Sequence, residues 1–324
     1  MERITLLDIV KLNKNDKIIG LVEEVISVVP ELDIIPGKPR KGKHFETLVR
    51  TRVPKVKFRR VNDGSDPVKS GYENRMFQCH LIDGRMEVDK AAADIADEGP
   101  DFVKAAEAVG YFIGQGQTLA SQVWYGPKSD PLGFPGACQL VAKDMGTWLG
   151  NKSEGISANT GTSVFAINAN VLRGLSFFFG GEGMGLLGQD MTWREETILG
   201  ENGKPLDGYV CSLPFWPGLA LANSKMVVRY DNIAPQEGKS LNDDIMDEIF
   251  HQFTKNTGGI PPTHYFMSFE ARRMLQKSRA ATLVGTGTTR PDQPKTVPVP
   301  KDHDGIPIVA SSAIVDTESI TART

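Results

Sequence analysis

Apolar residues recur at helical spacing through Phe102, Ala106, Val109, Ile113, Gly116, Ala120 and Val123. This predicts the longest helix of the chain. Pro100 opens it, with Asp97, Glu98 and Asp101 at its positive end, and Gly126-Pro127 closes it. At about 24 residues it spans roughly 36 Å. Gly110, Gly114 and Gly116 weaken its propensity, a loss that close approach of a sheet would offset.

Upstream, residues 5–13 read as a short helix. A second helix, capped at Asn15 or Asp16, carries Ile18, Ile19, Val22, Val25, Ile26 and Val29 until Pro30 stops it. This stripe must dock on its own domain or on a neighbouring subunit. Between 36 and 90 the pattern changes. Leu48, Val49, Val53, Val56, Phe58 and Val61 interleave with Arg50, Arg52, Lys55, Lys57, Arg59 and Arg60, and residues 55–61 approach a two-residue period. Asn62-Asp63-Gly64 and Asp66-Pro67 mark a turn. The chain then returns through Tyr72, Met76, Phe77, Leu81, Ile82, Met86 and Val88. The expectation is a long two-stranded antiparallel ribbon, which is marginal alone and needs a partner.

From 161 to 235, strand-like runs separated by glycine-rich turns include Val164–Ile167, Leu175–Phe179, Thr192–Ile198, Tyr209–Leu213 and Lys225–Tyr230. Ser240 is expected to cap a helix carrying Ile245, Ile249 and Phe253. Tyr265-Phe266-Met267 is a short strand, and Ser268 caps a helix through Arg279. A polar loop over 285–300 leads to a strand at Gly305–Val309. The class is α+β.

Composition narrows the role by exclusion. Hydrophobic residues make up 40% and charged residues 24%, with a net charge of −3. That is ordinary globular composition without the basic excess of a dedicated nucleic-acid binder. Cys79, Cys138 and Cys211 share no CxxC spacing, so they read as reduced thiols. No leading apolar segment or bilayer-length run predicts secretion or membrane insertion. Gly180–Gly185 resembles a phosphate loop but lacks GxGxxG spacing and a P-loop Lys-Ser/Thr pair, and is expected to be a turn. The five histidines form no HExxH or His-x-His, and there is no GxSxG. No catalytic, cofactor or metal residues are expected, and an enzyme is not. The stretch 38–60 is basic with one acid, Glu46, and its charges are expected to meet acids on neighbouring copies.

The element order resembles the major capsid proteins of tailed bacteriophages, with their Hong Kong 97-type fold. So do Leu48-Val49-Arg50-Thr51, Tyr72-Glu73-Asn74-Arg75, Met86–Lys90, Gly133-Phe134-Pro135-Gly136, Phe266–Gln276 and Asp304–Glu318. The resemblance implies an N-terminal arm (1–40), an extended β-hairpin loop with its root (41–95), a peripheral domain with a spine helix and sheet (96–235) and an axial α/β domain (236–324). The axial part follows the long strands here, whereas it precedes them in the prototype.

It implies a virion protein, made in the host cytoplasm, that self-assembles into hexamers and pentamers of an icosahedral shell around phage DNA. Inter-subunit contacts are expected through Arg50, Arg52, Lys55, Lys57, Phe58, Arg59 and Arg60 of the loop and Ile18, Ile19 and Val22 of the arm. Expected partners are a separate scaffolding protein, because no long prosegment precedes the arm, and a portal, with non-specific proximity to packaged double-stranded DNA, no membrane and no cofactor; whether a decoration protein binds is left open. No crosslink is predicted. The alternatives are an encapsulin-like compartment and, remotely, a nucleotide-binding enzyme.

Overall fold

The computed structural model describes residues 29–52, 54–97, 99–141, 146–182, 192–200, 203–285 and 297–322. The predicted helices before Val29, the centre of the glycine-rich loop and most of the 285–300 loop lie outside them.

The described chain begins with a short helix, α1 (Pro30–Ile34). Pro30 therefore starts a helix where the sequence pattern had one stopping, because proline's fixed φ and missing N–H suit the first helical position. Next come β1 (Gly37–Pro39), β2 (Lys41–Gly42), β3 (His44–Arg52), β4 (Gly71–Gln78), β5 (Arg85–Asp89) and α2 (Lys90–Asp94). The spine helix α3 (Pro100–Tyr125) and a single turn α4 (Ala137–Leu140) follow. The β-rich middle holds β6 (Trp148–Gly150), β7 (Thr162–Ile167), β8 (Leu175–Phe179), β9 (Gly181–Glu182), β10 (Arg194–Leu199), β11 (Pro205–Ser212), β12 (Pro217–Leu221) and β13 (Val227–Ile233). Last come α5 (Asp243–Thr257), β14 (His264–Met267), α6 (Phe269–Gly285), β15 (Asp302–His303) and β16 (Ile306–Ala310).

A six-stranded sheet in the order β15-β16-β14-β7-β13-β6 forms the centre. It joins strands from both sides of residue 236. Every residue of β7 and β13 is buried, as expected for strands covered on both faces. α5 and α6 pack against the sheet. The C-terminal part of α3 joins the same core, with the Trp124 ring 4.7 Å from Phe165 and 5.0 Å from Phe266. Trp124 Nε1 donates to the fully buried Glu31 at 2.8 Å, and the Ser311 hydroxyl donates to the same oxygen, which ties α1, α3 and the end of β16 together.

The N-terminal half of α3 serves a second sheet, β10-β11-β5, through Val103, Ala108, Tyr111 and Phe112 against Met86, Val88, Tyr209 and Cys211. One 26-residue helix, about 39 Å long, thus spans two sheets. Its glycines do not meet a sheet as expected. A Cβ at Gly110 or Gly114 would touch nothing, and one at Gly116 would meet Val29 and Leu32. The helix ends on Gly126 at φ 54, where Gly136 crosses so closely that a Cβ would lie 2.5 Å from the Gln122 carbonyl oxygen.

Three further expectations are corrected. The return leg of the ribbon ends at Gln78, and Met86 and Val88 belong to β5, paired with β11. Asn242, not Ser240, caps α5, its side-chain oxygen accepting from Ile245 N–H at 2.9 Å. Residues 55–61 form no strand. Pro54 lacks a ladder donor, and the facing residues Gly64 to Ser70 offer no apolar face, so the alternation has nothing to pair with.

Among the described residues, no helix is long and apolar enough to cross a membrane.

Candidate assembly surface

The feature that stands out from the body is the hairpin β3–β4 with its loop 54–70. Register runs from His44 opposite Gln78 to Arg50 opposite Tyr72, then shifts so that Arg52 faces Gly71. This bulge twists the strands apart where the loop begins.

The root is anchored by aromatic packing. Phe45 and Phe77 face each other across the hairpin at 6.3 Å, and both contact Phe178 of β8, at 5.6 and 6.4 Å. The Arg40 guanidinium covers Phe45 at 4.4 Å. Beneath lies the three-stranded sheet β1-β8-β12, in which β1 runs parallel to β8 and β12 antiparallel to it. Backbone bonds Cys79 N–H to Lys43 O and His80 N–H to Pro217 O, both 2.9 Å, complete the join. Cys79 and His80 point apart, as neighbours in extended chain must. The Cys79 thiol is buried and its pKa pushed up by that burial, whereas the His80 ring meets the Leu132 carbonyl at 2.8 Å. The beginning of the glycine-rich segment, β9, pairs with β2 beside this root.

Beyond the root the arm has no core. Leu48, Tyr72 and Met76 share one face of the hairpin and are all more than half exposed. In the loop, Val56 is 82% exposed, Val61 89% and Phe58 fully exposed. These side chains form the exposed apolar cluster of the hairpin and its loop.

The predicted contact residues fall here, except those of the N-terminal arm. Arg50 lies on β3, and Arg52 donates to the Lys69 carbonyl at 3.4 Å across the bulge. Lys55, Lys57, Phe58, Arg59 and Arg60 all lie exposed in the loop. Arg59 is partly occupied, donating to the Asp63 carbonyl at 2.6 Å, where Asn62 turns the chain at φ 72. Ile18, Ile19 and Val22 lie outside the described residues.

Acids gather elsewhere, on the β10-β11-β5 sheet and α2. Glu195 and Glu196 there pair with Lys90 at 2.7 Å and Arg85 at 3.4 Å. The Glu195 hydrogen bond raises the Lys90 pKa. These pairs are exposed, so each adds little stability.

Two polar clusters, one buried and one open to solvent around a buried histidine, were invisible in the sequence because their members are far apart in it. Glu318 accepts from Tyr125 Oη and Ser163 Oγ, both at 2.6 Å, and from Arg229 Nη2 at 2.9 Å. Burial, then the Glu318 charge, pushes the Tyr125 pKa well above the phenol range. The second cluster places His303 Nε2 2.9 Å from Asp247, although the histidines showed no metal-ligand spacing in the sequence.

Comparison with known proteins agrees with this architecture. A chain of the bacteriophage Epsilon15 structure superposes with a TM-score of 0.59 at 17% identity, covering 89% of this chain and 87% of that one. The capsid of bacteriophage JBD30 gives 0.50 at 10% identity, covering 87% and 90%. An encapsulin from Synechococcus elongatus aligns more loosely, at 0.41 and 11% identity over 63% of this chain and 88% of that one. No curated protein matches in sequence. Residues 12–322 match the family model of the major capsid protein GP7. The chain has the fold of tailed-phage capsid subunits and belongs to the major capsid protein GP7 family, which makes it a capsid shell protein of the virion.

Proposed function

We propose that the hairpin 44–78 and its loop lie over a neighbouring subunit, and that this overlap builds the hexamers and pentamers of an icosahedral shell around phage DNA. The observation that carries it is Phe58, fully exposed at the tip of an arm whose root is pinned by three phenylalanines. Covering the apolar side chains of the arm stabilises each contact at about 25 cal/mol per Å² of apolar surface. Repetition around a closed ring turns modest contacts into a stable shell. Arg52, Lys55, Lys57, Arg59 and Arg60 set register against acids of the neighbour, and the surface of Glu195 and Glu196 has the required sign. We assign Arg50 to the same contact from its place on β3 and Ile18, Ile19 and Val22 from their apolar spacing.

In this reading α3 with the β10-β11-β5 sheet forms the peripheral part, and the six-stranded sheet with α5 and α6 forms the axial part near ring centres. Other partners follow from the role. A shell filled after closure needs an entry vertex, hence a portal, and subunits that form two ring sizes need a scaffolding protein to set curvature. Decoration proteins would bind the finished outer surface, and synthesis takes place in the host cytoplasm. The family is a structural one, and in this reading the chain carries no enzymatic role.

The test is removal of residues 54–70 across a short Gly-Ser bridge. A folded, soluble subunit that forms no closed particles by electron microscopy supports the reading. Intact shells from this variant overturn it.

A further inference from the structure

Asp247 on α5, His303 on β15 and Asp304 in the turn after it each present one ligand atom, and these atoms lie within 4.8 Å of one another. The histidine is 7% exposed, whereas both aspartates open to solvent. His303 Nε2 stands 2.9 Å from Asp247 Oδ1. Donor atoms around a tetrahedral zinc, each about 2.0 Å from the ion, are roughly 3.3 Å apart. The His303–Asp247 distance needs to open by a few tenths of an ångström, and the 4.8 Å bound leaves the exposed Asp304 carboxylate to close in by up to about 1.5 Å.

Two further observations point to a ligand. His303 is oriented from behind: its Nδ1 lies 3.4 Å from Asp243 Oδ1. Asp243 is itself held by Arg279 through contacts of 2.8 and 3.1 Å. A carboxylate behind an imidazole fixes the tautomer that leaves Nε2 free to bind a metal, the usual outer support of a metal-bound histidine. Tyr265 is completely buried, and its hydroxyl finds no hydrogen-bond partner among the described residues. Its ring meets the His303 ring edge-on at 6.1 Å. An unpartnered buried phenol beside two carboxylates and an imidazole is the donor that a metal-bound water would satisfy.

We propose that Asp247, His303 and Asp304 bind a divalent transition-metal cation, with Asp243 orienting the imidazole and Tyr265 donating to a bound water. One imidazole and two carboxylates form a mixed donor set that favours zinc or manganese over calcium or magnesium. The ion would fasten α5 to the β15–β16 hairpin, two segments more than forty residues apart in sequence. Binding would stabilise the folded subunit by mass action.

The experiment is titration of the chelator-stripped full chain with zinc chloride, manganese chloride, calcium chloride and magnesium chloride in turn. Bound metal is read by calorimetry and elemental analysis, and stability by thermal melting. The expected result is one zinc or manganese per chain, a raised Tm, and weaker binding of calcium and magnesium. Asp304→Asn alters an exposed group and leaves the metal-free fold intact, so it is expected to weaken binding at least tenfold without changing the metal-free Tm; Asp247→Asn also loses the contact with His303 and is expected to weaken binding to the same degree. Asp207→Asn, on a different sheet, serves as the control. Absence of zinc and manganese binding at millimolar concentration, or binding unchanged in both Asp247→Asn and Asp304→Asn, overturns the proposal. Tighter binding of calcium overturns the choice of cation class.

Discussion

Arg229 and Glu318 form a 2.9 Å ion pair in which each side chain is only 8% exposed. The pair fastens the C-terminal segment to β13 and, through Ser163 Oγ, to β7. Glu318→Gln would leave the Arg229 charge buried without its counterion, which costs about 3–5 kcal/mol. The expected outcome is a lower urea midpoint at unchanged slope. A variant as stable as the parent would show that water reaches the guanidinium.

Phe58→Asp separates folding from assembly. The side chain touches nothing in the subunit, so stability is expected to change by less than about 0.5 kcal/mol. Shell yield by sedimentation is expected to collapse. Normal shells would place the loop tip outside the interface.

Phe178→Ala acts at the root of the arm. The side chain is 2% exposed and supports both Phe45 and Phe77. Loss of a buried phenylalanine costs about 3–5 kcal/mol. Hydrogen exchange should quicken first in β3 and β4, and uniform quickening across all sheets would mean the arm is not a separate unit.

Two glycine substitutions should have opposite signs. Gly136→Ala drives a methyl against the backbone of Gln122 and Gly126, and is expected to destabilise by about 1–3 kcal/mol. Gly114→Ala places its methyl in open space on α3 and is expected to stabilise the free subunit by up to about 1 kcal/mol. Thermal melting of the two variants decides both.

Burial pushes the Cys138 thiol up to about 11, against the lowering influence of Arg229. A folded pKa raised above the free value means the protonated thiol favours the folded state. That contribution is complete below about pH 9 and is lost as pH rises toward 11. Alkylation of native protein at pH 8 should therefore spare Cys138, and rapid labelling there would contradict its burial.

The sequence revealed some of this far better than the rest. The spine helix was legible to within two residues because its period repeats over 26 positions and Pro100 and Gly126 bracket it. The hairpin was legible from Asn62-Asp63-Gly64, but the strand was extended too far, since alternation at 55–61 carries no information about whether a partner strand exists. The phenylalanine clamp was not legible. Phe45 and Phe178 meet only after residues 133 positions apart converge, and neither stands out among fifteen phenylalanines. β12 was missed because Pro217-Gly218 reads as a turn, although proline is tolerated at the first residue of a strand. Asn242 outcompeted Ser240 as a cap for a reason of two residues' placement that periodicity cannot resolve.

The parallel pairing of β1 with β8 has a consequence for the order in which the molecule comes into being. Gly37 pairs with Phe177, and β8 is itself flanked by β12, which ends at Leu221. A ribosome making this chain releases the hairpin early and the sheet on which its root packs late. Until roughly two thirds of the polypeptide has emerged, the hairpin has no fixed direction, because contacts distant in sequence form only once both ends exist.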